Sequence, residues 1–166
     1  DIRLKSRLLK MKHDIQAVFI DYVQLMHLTG RHETRNLELA KISEVMQWIG
    51  RELDIATVGM VQFNREVSKE KREPVMSDLR DSGALEQDAY GVILLHHPAD
   101  LGQAEIQSRG KAYNAENIVK VIVDKNKDGP TGFVWMDYDK ESGRFSEDLD
   151  KIPTPYELPI QNETFF

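Results

Sequence analysis

The fold is decided by residues 17–26, which read Ala-Val-Phe-Ile-Asp-Tyr-Val-Gln-Leu-Met. The first four form a short continuous apolar run, which predicts a strand buried on both faces, as in a parallel sheet. Asp21 then follows at the carboxyl end of the strand, where open α/β sheets bind their ligands. A carboxylate in this position can hold Mg²⁺ against nucleotide phosphates, directly or through water. A strand that simply ends in an aspartate before a loop has the same pattern.

The composition limits the classes of protein to consider. With 166 residues, 40% of them hydrophobic and 30% charged, the chain is long enough for one globular domain with a core. It has no cysteine, which excludes disulfides and thiolate metal sites, and no apolar run approaches the roughly 20 residues of a transmembrane helix. The net charge of −6 argues against a surface that is basic throughout, although a ring can confine positive charge to a central channel.

Two helices are predicted from the spacing of apolar residues. The first lies near 2–13, and we expect its apolar face to pack on a sheet. That face consists of Leu4, Leu8, Met11 and Ile15. The second lies near 35–53 and has a longer stripe, which is typical of a helix that faces the core. The stripe consists of Leu39, Ile42, Val45, Met46, Ile49 and Leu53.

Apolar runs predict four further strands, near 55–61, 90–95, 118–124 and 132–137. With the strand at 17–21 they predict an α/β fold whose sheet is mainly parallel and flanked by helices. The last two strands should form an antiparallel hairpin, because only a short turn separates them. Residues 98–116 are polar and are predicted to be a surface insertion.

Two polar segments that follow predicted strands are candidate binding sites. Gln62 ends the strand near 55–61, and its amide can hydrogen-bond a γ-phosphate, although it can equally cap the strand. Residues 76–88 contain Arg80, whose planar donor fork suits an anion, and Gly83, which permits close approach of the backbone. These features fit a segment that holds a DNA phosphate without reading a base.

Four blocks resemble, in the same order, motifs of the replicative DNA helicases of the DnaB type. They lie at 21–26, 61–65, 77–89 and 125–130. The third is long and specific: it reads Ser-Asp-Leu-Arg-Asp-Ser-Gly-Ala-Leu-Glu-Gln-Asp-Ala, and is similar to the family's Ser-Asp-Leu-Arg-Glu-Ser-Gly-Ser-Ile-Glu-Gln-Asp-Ala. The first, Asp-Tyr-Val-Gln-Leu-Met, resembles the family's Asp-Tyr-Leu-Gln-Leu-Met. The chain is therefore identified as a member of this family.

The resemblance implies a RecA-like P-loop NTPase fold that uses ATP and Mg²⁺. It also implies a hexameric ring that translocates on single-stranded DNA and unwinds duplex at the replication fork. Primase and a helicase loader would be further partners, no membrane would be involved, and the location would be the cytoplasm of a bacterium or of a phage-infected host. Residues 1–148 would form the carboxyl-terminal portion of the motor domain, and residues 149–166 an extended tail.

The resemblance assigns roles to individual residues. Asp21 would hold Mg²⁺ as the Walker B aspartate, and Gln62 would sense the state of the nucleotide. Arg80, Asp81 and Gly83 would grip the backbone of single-stranded DNA in the ring channel.

The turn at 125–130 resembles the hairpin that family members push into the nucleotide site of the neighbouring subunit. Its cations, Lys125 and Lys127, would stabilise charge on the transferring phosphoryl group, with Asp128 beside them at the nucleotide. The family has Lys and Arg where this chain has two lysines. The charge is therefore kept, but the bidentate fork of an arginine is lost.

One motif of such motors does not occur in the sequence, the phosphate loop Gly-x-x-x-x-Gly-Lys-Ser/Thr. The family places that loop upstream of Asp21, so we expect this chain to be the carboxyl-terminal part of a motor domain and to be inactive alone. Two other functions stay open: a RecA-like DNA-binding or recombination ATPase that does not unwind, and a degenerate piece without turnover. The block at 77–89 favours the helicase.

Overall fold

The computed structural model describes residues 1–28, 34–63, 70–79, 83–108 and 110–147. The chain divides into two compact units, Asp1–Val67 with Val75–Tyr90, and Ser68–Pro74 with Gly91–Phe166. Among the described residues, no helix is both long enough and apolar enough to cross a membrane. The predicted tail at 149–166 lies outside the described residues.

The described part of the first unit contains three helices and a pair of strands. In chain order they are α1 (Ile2–His13), β1 (Ala17–Ile20), α2 (Arg35–Leu53), β2 (Ala56–Gly59) and α3 (Gly83–Asp88). Short 3₁₀ turns lie at Val23–Leu25 and Met76–Asp78. The two helices predicted near 2–13 and 35–53 are therefore confirmed.

The core of the first unit forms around α2. The helix begins after Thr34, whose hydroxyl accepts a hydrogen bond from the Leu37 N–H, and it ends at Asp54 in a left-handed conformation. The predicted stripe is buried, with exposures of 7% or less at Leu39, Ile42, Val45 and Ile49. Val18 and Ile20 of β1 pack against this stripe. Each fully buried side chain of this kind contributes about 1.5–3 kcal/mol.

The strands β1 and β2 pair in parallel, with Ile20 opposite Gly59. Burial of this pair on both faces, as predicted, is wrong: Phe19 is 66% exposed and its partner Val58 is 40% exposed. The described part of the unit places α2 against one face only. A run of four apolar residues has no period, so the sequence cannot distinguish one covered face from two.

The predicted packing of α1 is also wrong. Three of its four expected core positions are exposed, by 58%, 45% and 78%: Leu4, Leu8 and Met11. The helix instead packs through Ile2, and the guanidinium groups of Arg3 and Arg7 lie 5.3 and 5.5 Å from the ring centroid of Trp48 on α2. These cation–π contacts turn the arginine face toward α2 and the leucine face away from it.

The second unit is built from strands. They are β3 (Gly91–His96), β4 (Glu105–Ser108), β5 (Lys111–Asn114), β6 (Ile118–Asn126), β7 (Gly132–Asp139) and β8 (Arg144–Ser146). Four of them form a sheet in the order β3-β6-β7-β8, and β4 pairs with β5 separately. All of these pairings are antiparallel.

The prediction of a mainly parallel sheet is therefore wrong for the described pairings, in which β1 with β2 is the parallel pair. The reason is the connections. A parallel neighbour needs a long crossover, usually a helix, whereas short turns join β6 to β7 and β7 to β8. The antiparallel pairing expected between β6 and β7 is observed, with Val121 opposite Val134.

The segment 98–116, predicted as a polar surface insertion, contains the β4–β5 hairpin and buried side chains. Tyr113 is 8% exposed and Ala115 is fully buried. Tyr113 and Ile118 form a small core with Ile106 and Trp135. The alternation of polar and apolar residues in such short strands is too brief to identify them from sequence.

A buried histidine lies at the end of β3. His96 is 6% exposed and lies opposite Lys120 of β6. The Lys120 ammonium forms an ion pair with Glu73 at 2.6 Å and lies 4.1 Å from the ring centroid of Phe133. Burial lowers the pKa of His96 below its ordinary value; Glu73 acts in the opposite direction and Lys120 lowers the pKa further.

We expect His96 to make the folded protein less stable in acid. A histidine in the unfolded chain titrates near about 6.5, and the folded chain binds that proton less readily because the pKa is lowered. The stability that depends on His96 remaining uncharged is therefore fully present above about pH 6.5, and it is lost as the pH falls through the folded pKa. Urea unfolding at about pH 7.5 and about pH 5.5 should show a smaller pH effect in His96→Gln than in the wild type. Equal pH effects in the two proteins would contradict this role.

Candidate nucleotide site and DNA interface

Asp21 directly follows β1 and is exposed. The ladder of the parallel pair continues beyond the strands, because the Met60 N–H donates to the Ile20 carbonyl at 2.9 Å and the Val23 N–H donates to the Met60 carbonyl at 2.9 Å. The peptide bond between Asp21 and Tyr22 is cis. The two ladder bonds flank Asp21 in sequence and hold it at the carboxyl edge of the pair, the edge predicted to bind a ligand.

Gln62 lies just beyond the end of β2 and is exposed. Its backbone is held by a side chain from the other strand end. The Gln24 Nε2 group donates to the Gln62 carbonyl at 3.0 Å, and Gln24 Oε1 accepts from the Gln62 N–H at 3.4 Å. The structure therefore brings Asp21 and Gln62 to one edge of the β1–β2 pair, with Gln24 joining the two segments.

Close packing at this edge requires Gly59, the last residue of β2. A Cβ at this position would lie 2.7 Å from Met46 Cε and 2.8 Å from Val23 Cγ2. Val23 is fully buried, so it has little space into which to move. A larger residue at Gly59 would push apart β2 and the turn that follows Asp21.

Two residues in the first turn of α2 hold the loop that follows β1. Arg35 donates from Nη2 to the Gln24 carbonyl at 2.8 Å and from Nη1 to the Met26 carbonyl at 3.0 Å. Glu38, which is 8% exposed, accepts from the Leu28 N–H at 2.8 Å and forms an ion pair with Arg35. The Leu28 N–H lowers the pKa of Glu38, and the Arg35 guanidinium lowers it further, so the carboxylate stays ionised.

Three residues of this site were not predicted from the sequence: Gln24, Arg35 and Glu38. Gln24 lies inside the first family block, but its partner is 38 residues away and no local pattern connects them. Arg35 and Glu38 have the three-residue spacing of an ion pair on a helix. That spacing predicts the ion pair, but it does not indicate that both side chains also bind the backbone of a distant loop.

The exposed carboxylate of Asp21 fits a nucleotide-bound Mg²⁺. The described residues contain no group of three or more His, Asp or Glu side chains that could share a metal ion. In nucleotide sites Mg²⁺ is commonly held by one or two carboxylates together with the phosphates. An aspartate oxygen is a hard donor of the kind that Mg²⁺ prefers, and the Gln62 amide at the same edge can donate to a phosphate oxygen.

The predicted cations of the second unit lie around the turn between β6 and β7. Lys125 is in β6 and half-buried, whereas Lys127 and Asp128 lie in the turn and are exposed. The side chain of Asn126 organises this turn, because its Oδ1 accepts from the Asp128 N–H at 3.4 Å. The turn therefore presents Lys127 and Asp128 together at the end of the hairpin.

A side chain at Gly129 would collide with Asn126. A Cβ at Gly129 would lie 2.6 Å from Asn126 Nδ2, the atom that donates to the Pro130 carbonyl at 3.5 Å. A side chain at Gly129 would therefore displace Asn126 from its contact with Pro130.

Of the predicted DNA-binding residues, Arg80 and Asp81 lie outside the described residues. Gly83 is the first residue of α3 and is exposed. A Cβ at Gly83 would meet no atom within 4 Å, so the described fold does not itself require glycine there.

The described residues before and after 80–82 are anchored. On one side, the buried Asp78 carboxylate accepts from the Val75 N–H at 2.7 Å. On the other side, the Ser43 hydroxyl of α2 donates to the Asp88 carboxylate at 2.7 Å. The block that carries the predicted DNA contacts is thus tied at its far end to α2, the helix that also holds the loop after Asp21.

A family model described as the DnaB-like helicase C terminal domain matches residues 1–147. Replicative DNA helicase DnaB of Rickettsia felis is 34% identical over 154 residues, which cover 87% of this chain and 31% of that protein. The same helicase of Mycobacterium leprae is 37% identical over 149 residues, which cover 88% of this chain and 23% of that protein. The chain thus spans about a third or less of the length of these curated relatives.

Solved structures agree with this family. One of them, described as an ATPase domain, aligns with a TM-score of 0.75 at 36% identity, covering 87% of this chain and 49% of that chain. A DnaB-like replicative helicase, whose structure was described together with its interactions with primase, aligns with a TM-score of 0.75 at 35% identity. That alignment covers 87% of this chain and 33% of the helicase chain.

Proposed function

Because the chain belongs to the DnaB-like helicase C-terminal domain family, we propose that it is part of a hexameric, ATP-dependent replicative DNA helicase. The assembled helicase translocates on single-stranded DNA and unwinds duplex at the replication fork. We propose this activity for the assembled protein, since the chain spans about a third of the length of its relatives. These 166 residues alone, which contain no phosphate-loop motif, do not hydrolyse ATP.

The observation that carries this proposal is the placement of Asp21 and Gln62 at one edge of the parallel pair β1–β2. In open α/β sheets this is the edge at which ligands bind. Asp21 holds Mg²⁺ there, directly or through water, and the Gln62 amide contacts the terminal phosphate of ATP. Mg²⁺ held there would neutralise charge on the phosphates.

The hairpin between β6 and β7 completes the site of a neighbouring subunit. Lys125 and Lys127 stabilise charge on the transferring phosphoryl group, and Asp128 lies beside them at the nucleotide. The exposed turn that carries Lys127 supports this role, because it presents a cation at the end of a hairpin.

Single-stranded DNA binds to the block 77–89. Arg80 donates to a phosphate, Asp81 orients neighbouring groups, and Gly83 allows the backbone to approach the strand. The open space at Gly83 supports this assignment, because the glycine is not needed for packing within the described fold. Primase and a helicase loader are further partners of the ring, in the cytoplasm of a bacterium or of a phage-infected host.

A RecA-like recombination ATPase that does not unwind DNA is the second candidate. The fold and the Asp21–Gln62 edge suit both functions equally. The block 77–89 favours the helicase, and so does the identity of 32–37% to curated replicative helicases.

We expect Asp21→Ala to abolish Mg²⁺-dependent ATP hydrolysis in the assembled helicase while the fold is kept. Asp21 is exposed, so its removal leaves no buried group unpaired. The matched control is Glu44→Ala, which removes an exposed carboxylate from α2 and should leave turnover unchanged. Steady-state ATPase assays measure both, and wild-type turnover by Asp21→Ala would remove the Walker B assignment.

Arg80→Ala should weaken binding of single-stranded DNA about equally for all sequences. Loss of one phosphate contact should also flatten the dependence of log affinity on log salt by about one unit. Fluorescence anisotropy with oligonucleotides of different sequence, over a salt series, measures both effects. Lys41→Ala, at an exposed position of α2, is the control for loss of a positive charge. A sequence-selective loss would indicate that Arg80 reads bases.

Lys127→Ala should strongly reduce ATP turnover, with nucleotide affinity and thermal stability little changed. Lys127→Arg should retain or raise turnover, since an arginine finger adds a planar pair of bonds worth up to about 10³–10⁵ in rate in GTPases. Mixed rings of Lys127→Ala and Asp21→Ala subunits should regain activity, because some interfaces pair an intact hairpin with an intact metal site. Mixed rings that stay inactive at all ratios, while both variants assemble, would contradict action across the interface.

A further inference from the structure

Polar side chains hold the loop between β1 and Leu28 by binding backbone groups. The Gln24 amide forms two hydrogen bonds with the backbone of Gln62, and the Arg35–Glu38 pair binds three backbone groups of the loop. These contacts form one chain of interactions. It runs from α2 through the Gln24 carbonyl and side chain to Gln62.

Gln24 takes the place of a strand residue at the point where the ladder ends. Beyond Met60 the main chain of β1 no longer pairs with that of β2, because residues 23–25 form a 3₁₀ turn. A primary amide has the same donor and acceptor as a peptide group, so the Gln24 side chain continues the pairing to Gln62. The Gln62 backbone is thereby fixed by contacts that do not use its own exposed side chain.

The Arg35–Glu38 pair sets the position of Gln24. The planar guanidinium binds the carbonyls of Gln24 and Met26 from two different nitrogens, which a lysine cannot reproduce with one. The Glu38 carboxylate is almost fully buried and satisfied by Arg35 and the Leu28 N–H. Removing Arg35, which is itself partly exposed, would leave the nearly buried Glu38 carboxylate without this cation, so the arrangement is costly to disturb.

A role limited to stability would not require this geometry. The apolar stripe of α2 already packs the helix against β1, and the Thr34 cap already binds its first turn. The polar contacts add something different, since each ends on a backbone group between Asp21 and Leu28 or on Gln62. They fix the relative position of the two segments that carry the proposed metal ligand and nucleotide sensor.

We propose that Gln24 is a positioning residue that couples the loop carrying Asp21 to Gln62, and that the Arg35–Glu38 pair holds Gln24 in place. This role rests on the proposed function, in which Asp21 binds Mg²⁺ and Gln62 contacts the nucleotide. The coupling lets a displacement at Gln62 reach the Asp21 loop and α2, and the reverse.

The test uses Gln24→Glu in the assembled helicase. The two side chains have the same shape, but the glutamate places an oxygen against the Gln62 carbonyl where Gln24 has a donor. We expect kcat for ATP to fall roughly ten- to a hundredfold, the size of effect produced by a small misplacement of reacting groups, with KM changed less than about twofold. The stimulation of ATP hydrolysis by single-stranded DNA should fall as well.

Hydrogen exchange measured by mass spectrometry provides a readout that does not depend on turnover. Gln24→Glu and Arg35→Ala should both speed exchange in the peptide that contains Gln62. Arg35 does not contact Gln62 in the described contacts, so its effect there tests transmission through Gln24. Arg35→Lys should give an intermediate effect on exchange and kcat, because the lysine reaches fewer carbonyls.

Arg51→Ala is the matched control, because Arg51 lies on the same helix and its described side-chain hydrogen bond is to Gln47, away from the loop. It should change neither kcat nor exchange at Gln62. The coupling is contradicted if Gln24→Glu keeps wild-type kcat and DNA stimulation, or if Arg35→Ala leaves exchange at Gln62 unchanged. Asp21→Ala distinguishes failure of the proposed function from failure of the coupling. Wild-type turnover by Asp21→Ala would contradict the proposed function, whereas the exchange results, which test the coupling, would still stand.

Discussion

The parallel pairing of β1 with β2 against the apolar stripe of α2 is the constraint on which the first unit depends. Ile20 faces Gly59 in this pairing, and the ladder continues through Met60 to Val23. Because both strands run in the same direction, the residues that follow them emerge at the same edge. The apolar packing thus brings a carboxylate and an amide to one edge of the pair. A glycine at the end of β2 permits the close approach.

Polar contacts then fix the positions of the segments that the apolar core brings together. Burial against α2 stabilises the pair, but it is non-directional and cannot fix the path of the chain after β1. Hydrogen bonds from Gln24, Arg35 and Glu38 supply that direction. In the second unit, too, the sheet and the functional turn are held by different contacts. Strand pairing holds the sheet, whereas Asn126 and Gly129 shape the turn that carries Lys127.

The parts that could be predicted from sequence are those with a long or specific pattern. The stripe of α2 runs from Leu39 to Leu53. The apolar runs before Asp21 and Gln62 mark the strands that position them. Other features leave no such pattern. Exposure of Phe19 depends on what covers the second face of the pair, and the exposed face of α1 follows from two arginines that stack on Trp48. The antiparallel order of the second unit depends on its connections. Gln24 could not be identified because its role depends on a residue 38 positions away.

Binding of the nucleotide at the carboxyl edge of the β1–β2 pair can be measured directly. A structure of the assembled helicase with Mg²⁺ and a non-hydrolysable ATP analogue would locate the nucleotide. We expect Mg²⁺ to lie within direct or water-mediated reach of the Asp21 carboxylate, with the terminal phosphate near the Gln62 amide and Gln24 still bound to the Gln62 backbone. A nucleotide bound away from this edge, with Asp21 facing only solvent, would contradict the account.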